Sequence, residues 1–232
     1  MFRTLGLVAV VACLPSVVRA DTITYNARAD FTSTANPSGA WSYGTATTLG
    51  GAINPFPNYG PLNPDCGPGW YNAATWINYA PCLWKPTLGV PVSLGTYIPG
   101  PNDLILHPGL WFNLSTVLRW TAPAAGTTDI SVLFSGAHVS PKTVLVFEDS
   151  SQLFSQYLNA YDTASFGATL AVQPGDRIDF VVAPNAFDSE STAVAPIITF
   201  TPIPEPSTIS LLFAGAIGLL AYGWRKCQTG GK

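Results

Sequence analysis

The amino-acid sequence predicts an all-β central domain, an antiparallel β-sandwich of jelly-roll type, between two apolar termini. Short runs rich in β-branched and aromatic residues recur through its second half, and clusters of turn-forming residues separate them. No stretch of residues 21–201 shows a long helical period. This region is long enough to form one domain with its own hydrophobic core.

Seven strands are predicted, each ending at a cluster of glycine, proline or short polar residues. They are TVLRW (116–120), TDISVLFSG (128–136), TVLVFE (143–148), QLFSQYL (152–158), SFGATLAV (165–172), RIDFVVA (177–183) and AVAPIITF (193–200). Because Pro196 has no backbone N–H, we expect the last strand to lie at a sheet edge or to contain a bulge.

Residues 36–113 are dense in proline, glycine, asparagine and aromatic residues, which predicts a loop-rich crown rather than a second domain. Cys66 and Cys82 lie within it. In an oxidising compartment such a pair is usually joined, so the sequence predicts a disulfide that staples the crown. Two buried thiols are the alternative, and the spacing of the cysteines does not indicate zinc.

The first twenty residues have the pattern of a secretory signal peptide. Arg3 precedes an apolar stretch at 5–14, and small residues precede a cleavage site that leaves Asp21 as the mature N-terminus. The alternative is a lipoprotein cleavage box that would lipidate Cys13. Both interpretations export the central domain, and the first makes signal peptidase a partner.

The C-terminal segment predicts a transmembrane helix over residues 208–224, which carry no charge and would extend roughly 25 Å as a helix. Pro206 suits the start of a helix. Arg225 and Lys226 follow as membrane-stop cations, and they favour a cytoplasmic location for the basic tail, residues 225–232. The alternative is a buried helix of a globular domain.

The helix is preceded by Pro204, Glu205, Pro206 and Ser207, within a proline-rich segment at 202–207 that is held extended. This motif, followed by a short apolar span and a basic end, resembles the PEP-CTERM sorting signal. The resemblance implies recognition by exosortase, a membrane-embedded enzyme of Gram-negative bacteria. It further implies removal of the tail and delivery to the cell surface or to an exopolysaccharide matrix. An ordinary single-pass anchor is the alternative.

A second resemblance rests on turn motifs: NPSGAWSYG near the start, LHPG and LRWTAPAAG in the middle, and QPGDRIDFVVAPN near the end. They are similar to a β-sandwich ectodomain of PEP-CTERM proteins, which in outline is like a carbohydrate-binding module. This resemblance implies a fold more than a function, and it assures neither a shared ligand nor a shared ion.

Charge and motifs argue against two classes of function. Residues 21–201 carry five cations and twelve carboxylates, a net charge of −7, which disfavours nucleic acid as a partner. His107 and His138 lie in no metalloprotease motif, and no nucleophile elbow or phosphate loop is present. We therefore expect no enzyme activity, no cofactor and no metal. Calcium held by Asp179, Asp188 and Glu190 is a minor alternative, because their spacing lacks the usual alternation.

Aromatic residues crowd between and beside the two cysteines: Trp70, Tyr71, Trp76, Tyr79 and Trp84. Flat aromatic faces stack on sugar rings, so Trp70, Tyr71, Trp76 and Trp84 are candidate sugar-binding residues. Packing of the loops on themselves is the alternative, and a protein partner is another.

These observations predict an exported, non-catalytic surface or matrix protein that is an exosortase substrate and is associated with exopolysaccharide. Before processing, its C-terminal helix would anchor it in the inner membrane of a Gram-negative bacterium. Two alternatives remain at this point: a secreted hydrolase acting on matrix glycans, and a structural or adhesive protein that self-associates.

Overall fold

The computed structural model describes residues 21–63, 66–75, 80–92, 95–185, 191–203 and 208–229. The predicted signal peptide and the segment 204–207 lie outside the described residues. The chain divides into two units. One is Asp21–Ile203, which contains all of the described strands and the buried hydrophobic clusters, so we expect it to fold without the tail. The other unit contains the C-terminal helix.

The described elements are fourteen strands, one 3₁₀ turn and one α-helix. The strands are β1 (Ile23–Asn26), β2 (Trp41–Ala46), β3 (Asn54–Pro55), β4 (Asn58–Asn63), β5 (Gly67–Tyr71), β6 (Cys82–Trp84), β7 (Leu104–His107), β8 (Ser115–Thr121), β9 (Gly126–Gly136), β10 (Lys142–Glu148), β11 (Ser151–Leu158), β12 (Thr163–Val172), β13 (Arg177–Ala183) and β14 (Thr192–Pro202). The 3₁₀ turn is Leu110–Phe112, and the helix α1 is Thr208–Thr229.

The strands form two antiparallel sheets. The first sheet has the order β12–β9–β14–β7–β6–β5–β4, and β1 also pairs with β14. The second has the order β11–β10–β13–β8–β2–β3. From β7 to β14 the chain changes sheet at every connection except β10–β11. The predicted all-β sandwich is therefore confirmed.

The main core lies between the inner faces of the two sheets. Along β9 the side chains alternate between buried and exposed over most of the strand, as expected for a sheet with one face in the core and one in water. Trp120 from the second sheet meets Phe200 from the first at a ring-centroid distance of 5.9 Å. Other large buried side chains of this core are Trp41, Tyr43, Phe56, Phe134, Leu104 and Phe180. Burial of aromatic and aliphatic surface is the main force that holds the layers together.

All seven predicted strands are present, with ends shifted by at most two residues. The prediction for Pro196 is wrong in one respect, because β14 lies between β9 on one side and β7 and β1 on the other. On that side of β14, the pairing with β7 ends at Val194 and the pairing with β1 starts at Ile197, so neither strand pairs with Pro196. The Pro196 carbonyl accepts a hydrogen bond from Ala27 on that side, so the missing N–H also faces the junction of the two strands.

The predicted loop-rich crown is only partly a loop region. Residues 36–113 contain β2–β7, which add four strands to the first sheet and two to the second. Several of these strands are short and contain proline or glycine, for example NYGPLN and GPGWY, so their composition hides the usual strand pattern. Cross-strand pairing with the longer strands compensates for the weak local preference.

The outer face of the second sheet is covered by the connection at 47–53. Leu49 and Ile53 pack against a small apolar cluster that includes Val117 and Val181. Arg119 and Asp179 lie on the same face, buried beneath that connection. The guanidinium donates to both carboxylate oxygens at 2.6 and 2.7 Å and to the carbonyl of Gly51 at 2.6 Å. This ion pair therefore ties the connection to the sheet.

The outer face of the first sheet is covered in its β4–β7 half. Val92 and Tyr97 pack there on Ile105. Arg28 holds the chain on both sides of these two residues, because its guanidinium donates to the carbonyl oxygens of Pro86 and Asp103. The β12–β9–β14 half of this face remains largely open to solvent.

The C-terminal helix is confirmed, and it runs from Thr208 to Thr229, beyond the predicted end at residue 224. Among the described residues no helix reaches the length and mean hydropathy of a membrane span. The described side chains of this helix, 214–226, include the exposed rings of Tyr222 and Trp224 and both cations, Arg225 and Lys226.

Candidate functional site

Two of the four candidate sugar-binding side chains are in the protein interior. Trp70 is 5% exposed and Trp84 is 2% exposed, so neither presents a flat ring face to solvent. The Trp70 indole N–H donates to the carbonyl of Thr32 at 2.8 Å, and its ring packs edge-on against Tyr59 at 5.3 Å. The prediction that these two rings form an exposed platform is wrong, because Trp70 faces the main core and Trp84 is covered by the segment 86–92.

Tyr71 is half-buried and packs against the same cluster as Trp84, and Trp76 lies outside the described residues. A cavity of about 340 Å³ lies between Trp84 and the segment that covers it. Its wall also includes Cys66 and Val92. This volume is at the lower end of the range for ligand pockets.

The predicted Cys66–Cys82 disulfide is not seen among the described residues. The strand register places Tyr71, not Cys66, opposite Cys82, and Cys66 lies in the turn before β5. Burial raises the pKa of the Cys82 thiol well above its usual value, and the neighbouring Cys66 raises it further. The described part of the crown is therefore held by strand pairing and packing.

The most exposed tryptophan with a described side chain is Trp111, which is not one of the predicted sugar-binding residues. It is 69% exposed at the centre of the 3₁₀ turn that connects β7 to β8. A large aromatic ring left in water is uncommon, and such residues are enriched at binding surfaces. The signal in the sequence is the apolar triplet Leu110–Phe112 between a Pro-Gly pair and an asparagine, where no strand pattern accounts for it.

The turn that carries Trp111 is closed by a ring of backbone hydrogen bonds. Gly109 and Leu114 exchange two of them, at 2.8 and 2.9 Å, and Asn113 donates to Leu110 at 3.0 Å. Asn113 adopts the left-handed conformation, with φ of 49°, which asparagine tolerates better than most residues. Leu114 is buried and anchors the turn. The position of Trp111 is thus fixed by backbone geometry.

The base of the turn, at Gly109, is closely packed, whereas its tip, at Trp111, is exposed. A Cβ on Gly109 would lie 2.8 Å from Cδ of Pro81, so only glycine fits there without displacement of a neighbour. The Thr116 hydroxyl donates to the carbonyl of His107 at 2.7 Å. Nδ1 of His107 lies 3.1 Å from the carbonyl oxygen of Pro108. These contacts hold His107 at the base of the turn.

The strand directions place the Trp111 turn at one end of the sandwich, which we call the loop end. Its described residues belong to the connections β7–β8, β9–β10, β11–β12 and β13–β14, at 108–114, 137–141, 159–162, 184–185 and 191. At the opposite end, which we call the tail end, the last residue of the domain, Ile203, donates to the carbonyl of Ala125 at 2.9 Å. The eleven residues of β14 run between the two ends, a distance of roughly 30 Å.

Acidic side chains gather at the tail end. Burial raises the pKa of Glu148, and the neighbouring carboxylates of Asp176 and Asp149 raise it further. Asp149 accepts a hydrogen bond from Nε of Arg177 at 2.7 Å. By contrast, residues 108–114, which form the Trp111 turn, include no charged side chain.

Asp179, one of the three residues of the calcium alternative, lies in the middle of the second sheet and binds Arg119, so it is not placed to bind calcium with the other two. Asp188 and Glu190 lie outside the described residues. Within the described part of the chain, no group of three or more His, Cys, Asp or Glu side chains could hold a metal ion. His138 lies in the β9–β10 connection, where its carbonyl accepts from Nζ of buried Lys142 at 3.0 Å.

Comparison with solved structures gives partial similarities over about half of this chain. A family 35 carbohydrate-binding module from Clostridium thermocellum matches with 10% identity and a TM-score of 0.30, covering 46% of this chain and 83% of that one. A family 35 module from an environmental isolate matches with 17% identity and a TM-score of 0.31, covering 50% and 90%. A GH26-CBM35 β-(1,4)-mannanase from Podospora anserina matches with 12% identity and a TM-score of 0.30, covering 49% of this chain and 24% of that one. This chain thus spans about a quarter of the mannanase.

Comparison by sequence identifies the tail. No curated protein matches the chain. The family model of the PEP-CTERM protein-sorting motif matches residues 202–226, which begin at the last residue of β14 and include both cations of the helix. Pro204, Glu205, Pro206 and Ser207 fall within this match, although they lie outside the described residues. The chain therefore carries a PEP-CTERM protein-sorting motif at its C-terminal end.

Proposed function

We propose that this protein is exported from a Gram-negative bacterium, sorted by an exosortase through its C-terminal motif, and released to the cell surface or the extracellular matrix. The observation that carries this proposal is the match of residues 202–226 to the sorting motif, directly after the last strand of a domain with its own core. Signal peptidase would remove residues 1–20. Exosortase would then act on the segment that contains Pro204 and Pro206, neither of which has a backbone N–H.

The proposed role of the domain itself is to bind a neutral glycan of the exopolysaccharide matrix without catalysis. The supporting feature is Trp111, a 69% exposed ring on a hydrogen-bonded turn whose residues carry no charge. A flat indole face stacks on the apolar face of a sugar ring, and the exposed amide of Asn113 beside it can bind hydroxyl groups. Because the backbone of the turn is already ordered, less entropy is lost on binding.

The location of Trp111 also suits this role. The tail leaves the domain at the tail end, about 30 Å of strand away from the Trp111 turn. The Trp111 turn is therefore separated from the point where the chain continues into the sorting motif.

The Trp111→Ala variant of the domain 21–203 is expected to bind exopolysaccharide purified from the host about tenfold more weakly, a loss of about 1.4 kcal/mol. Trp111→Phe should retain part of the affinity, because a smaller aromatic face remains. Leu133→Ala serves as a matched control, since Leu133 is an exposed apolar residue in the interior strand β9. Affinity electrophoresis or pull-down, extended to a panel of neutral polysaccharides, measures the effect. Equal retention of Trp111→Ala and wild type on every polysaccharide would refute the glycan site.

A further inference from the structure

Both sheets of the sandwich end, on one side of the molecule, in a long terminal strand. β12 is the last strand of the first sheet and β11 the last strand of the second, and the connection 159–162 joins them. A terminal strand leaves one row of backbone N–H and C=O groups without a partner strand, and such a row is a template for pairing with another chain. Soluble proteins usually protect these edges with charged residues, proline, bulges or short strands.

The two opposite edges carry these protective features. β3, at the far edge of the second sheet, is only two residues long and contains Pro55. β4, at the far edge of the first sheet, contains Pro61, and its register with β5 is interrupted between Pro61 and Asn63. These features limit the addition of a further strand to either edge.

β12 lacks each of those features. Its ten residues, TASFGATLAV, include no charged side chain and no proline. Its pairing with β9 continues without interruption from Thr163 opposite Ser135 to Val172 opposite Gly126. β11 also lacks charge and proline, but the register between β10 and β11 shifts at Val146, which marks a bulge or irregularity there. β12 is therefore the least protected of the four terminal strands.

The side chains of β12 are also only partly covered, as expected for an unprotected edge strand. Those that face the core, Ala164, Phe166, Ala168 and Leu170, are only half-buried. Phe166 packs against Phe154 of β11 at 5.4 Å, and Phe154 in turn stacks on buried Phe134 at 6.3 Å. The core is thus incompletely covered along this side, and a further strand beside β12 would bury more of its apolar surface.

We propose that β12 is the docking edge for a second copy of this chain, which pairs through its own β12 in antiparallel orientation. The self-complementary composition of β12 supports this occupant. Residues 21–201 carry a net charge of −7, so two copies repel each other over most orientations, but contact through β12 brings no charged side chain of that strand into the interface. The outward-facing residues of β12 are small or hydroxylated, so two such strands can approach without steric conflict.

Antiparallel pairing of β12 with itself has a two-fold axis, and it therefore produces a closed dimer rather than an open fibre. The two eight-stranded sheets then join into one continuous sheet.

Sedimentation velocity of the domain 21–203 over a range of concentrations tests this proposal. Wild type is expected to show a concentration-dependent monomer–dimer equilibrium. The double variant Ser165→Lys/Ala171→Lys places cations on the exposed face of β12, and we expect its dimer dissociation constant to rise at least about tenfold, because like charges on facing strands repel. Thr127→Lys is the matched control, since it adds a cation to an exposed position of β9, an interior strand, and it should dimerise like wild type.

Two results would overturn the proposal: a wild-type domain that stays monomeric at the highest concentration, or a folded β12 double variant that dimerises as well as Thr127→Lys. Circular dichroism checks that the variants are folded. Hydrogen exchange on the wild type gives an independent measurement. The amides of β12 should become more protected as the dimer forms, and protection that appears elsewhere but not in β12 contradicts this docking edge.

Discussion

Replacing Arg119 with methionine is expected to lower the free energy of unfolding of the domain by about 3–5 kcal/mol, because it leaves a buried carboxylate without its cation. Asp179 is 2% exposed, and both of its oxygens accept hydrogen bonds from this guanidinium. The same substitution removes the hydrogen bond to Gly51 that holds the connection 47–53 on the second sheet. Chemical denaturation of the domain 21–203 at neutral pH measures the change.

Arg177→Met is the matched control, because it breaks the exposed ion pair with Asp149 at the end of the same sheet. Its expected cost is below about 1 kcal/mol. A cost for Arg119→Met no larger than that of Arg177→Met would contradict the assignment of the Arg119–Asp179 pair as a structural anchor.

The cost of Arg119→Met should also depend on pH. Burial raises the pKa of Asp179 above its usual value, whereas Arg119 acts to lower it. Removal of the guanidinium therefore raises the folded-state pKa of Asp179 further above its value in the unfolded chain. A carboxyl group of this kind favours folding when it is protonated, so the variant should regain stability, relative to wild type, as the pH falls through that raised pKa. A cost that grows on acidification would contradict this explanation.

Replacing Pro204, Glu205 and Pro206 with alanine in the full-length chain is expected to abolish sorting in the native host. Alanine removes both prolines and the carboxylate, restores two backbone N–H donors and favours helix, so the motif that the exosortase would recognise is lost. The unprocessed chain should accumulate with its tail intact. Gln228→Ala is the control, because residue 228 follows the matched motif at 202–226, and it should be processed normally. Immunoblots of the cell and medium fractions measure both, and normal release of the triple variant would count against the proposed route.

The sequence predicted the second half of the domain well because its strands read as uninterrupted β-branched and aromatic runs between turn residues. RIDFVVA is the strand Arg177–Ala183 with the same limits. The first half was harder to predict, because Pro and Gly within β4 and β5 weaken the local strand signal and pairing with neighbours supplies the difference. The order of the strands depends on contacts between distant residues, such as Arg119 with Asp179, and composition does not report these.

The candidate site was less predictable than the fold. Trp70 and Trp84 are close to Tyr71 in sequence, but crowding of aromatic residues does not tell which face of a strand each occupies or what covers that face. Trp84 lies on an outer face, yet the segment 86–92 covers it. Trp111 is exposed because a hydrogen-bonded turn directs it away from the core, and that turn is recognisable only from its backbone geometry. In contrast, the sorting motif is a contiguous stretch, so the sequence alone identified it.

The proposed removal of the C-terminal tail outside the cytoplasm can be tested by intact-mass and peptide mass spectrometry of the protein isolated from its native host. We expect a chain that starts at Asp21 and ends within or shortly after the segment 202–207, so that the helix Thr208–Thr229 is missing. Recovery of the full chain from Met1 to Lys232 in the cytosol, with no shorter form outside the cell, would contradict it.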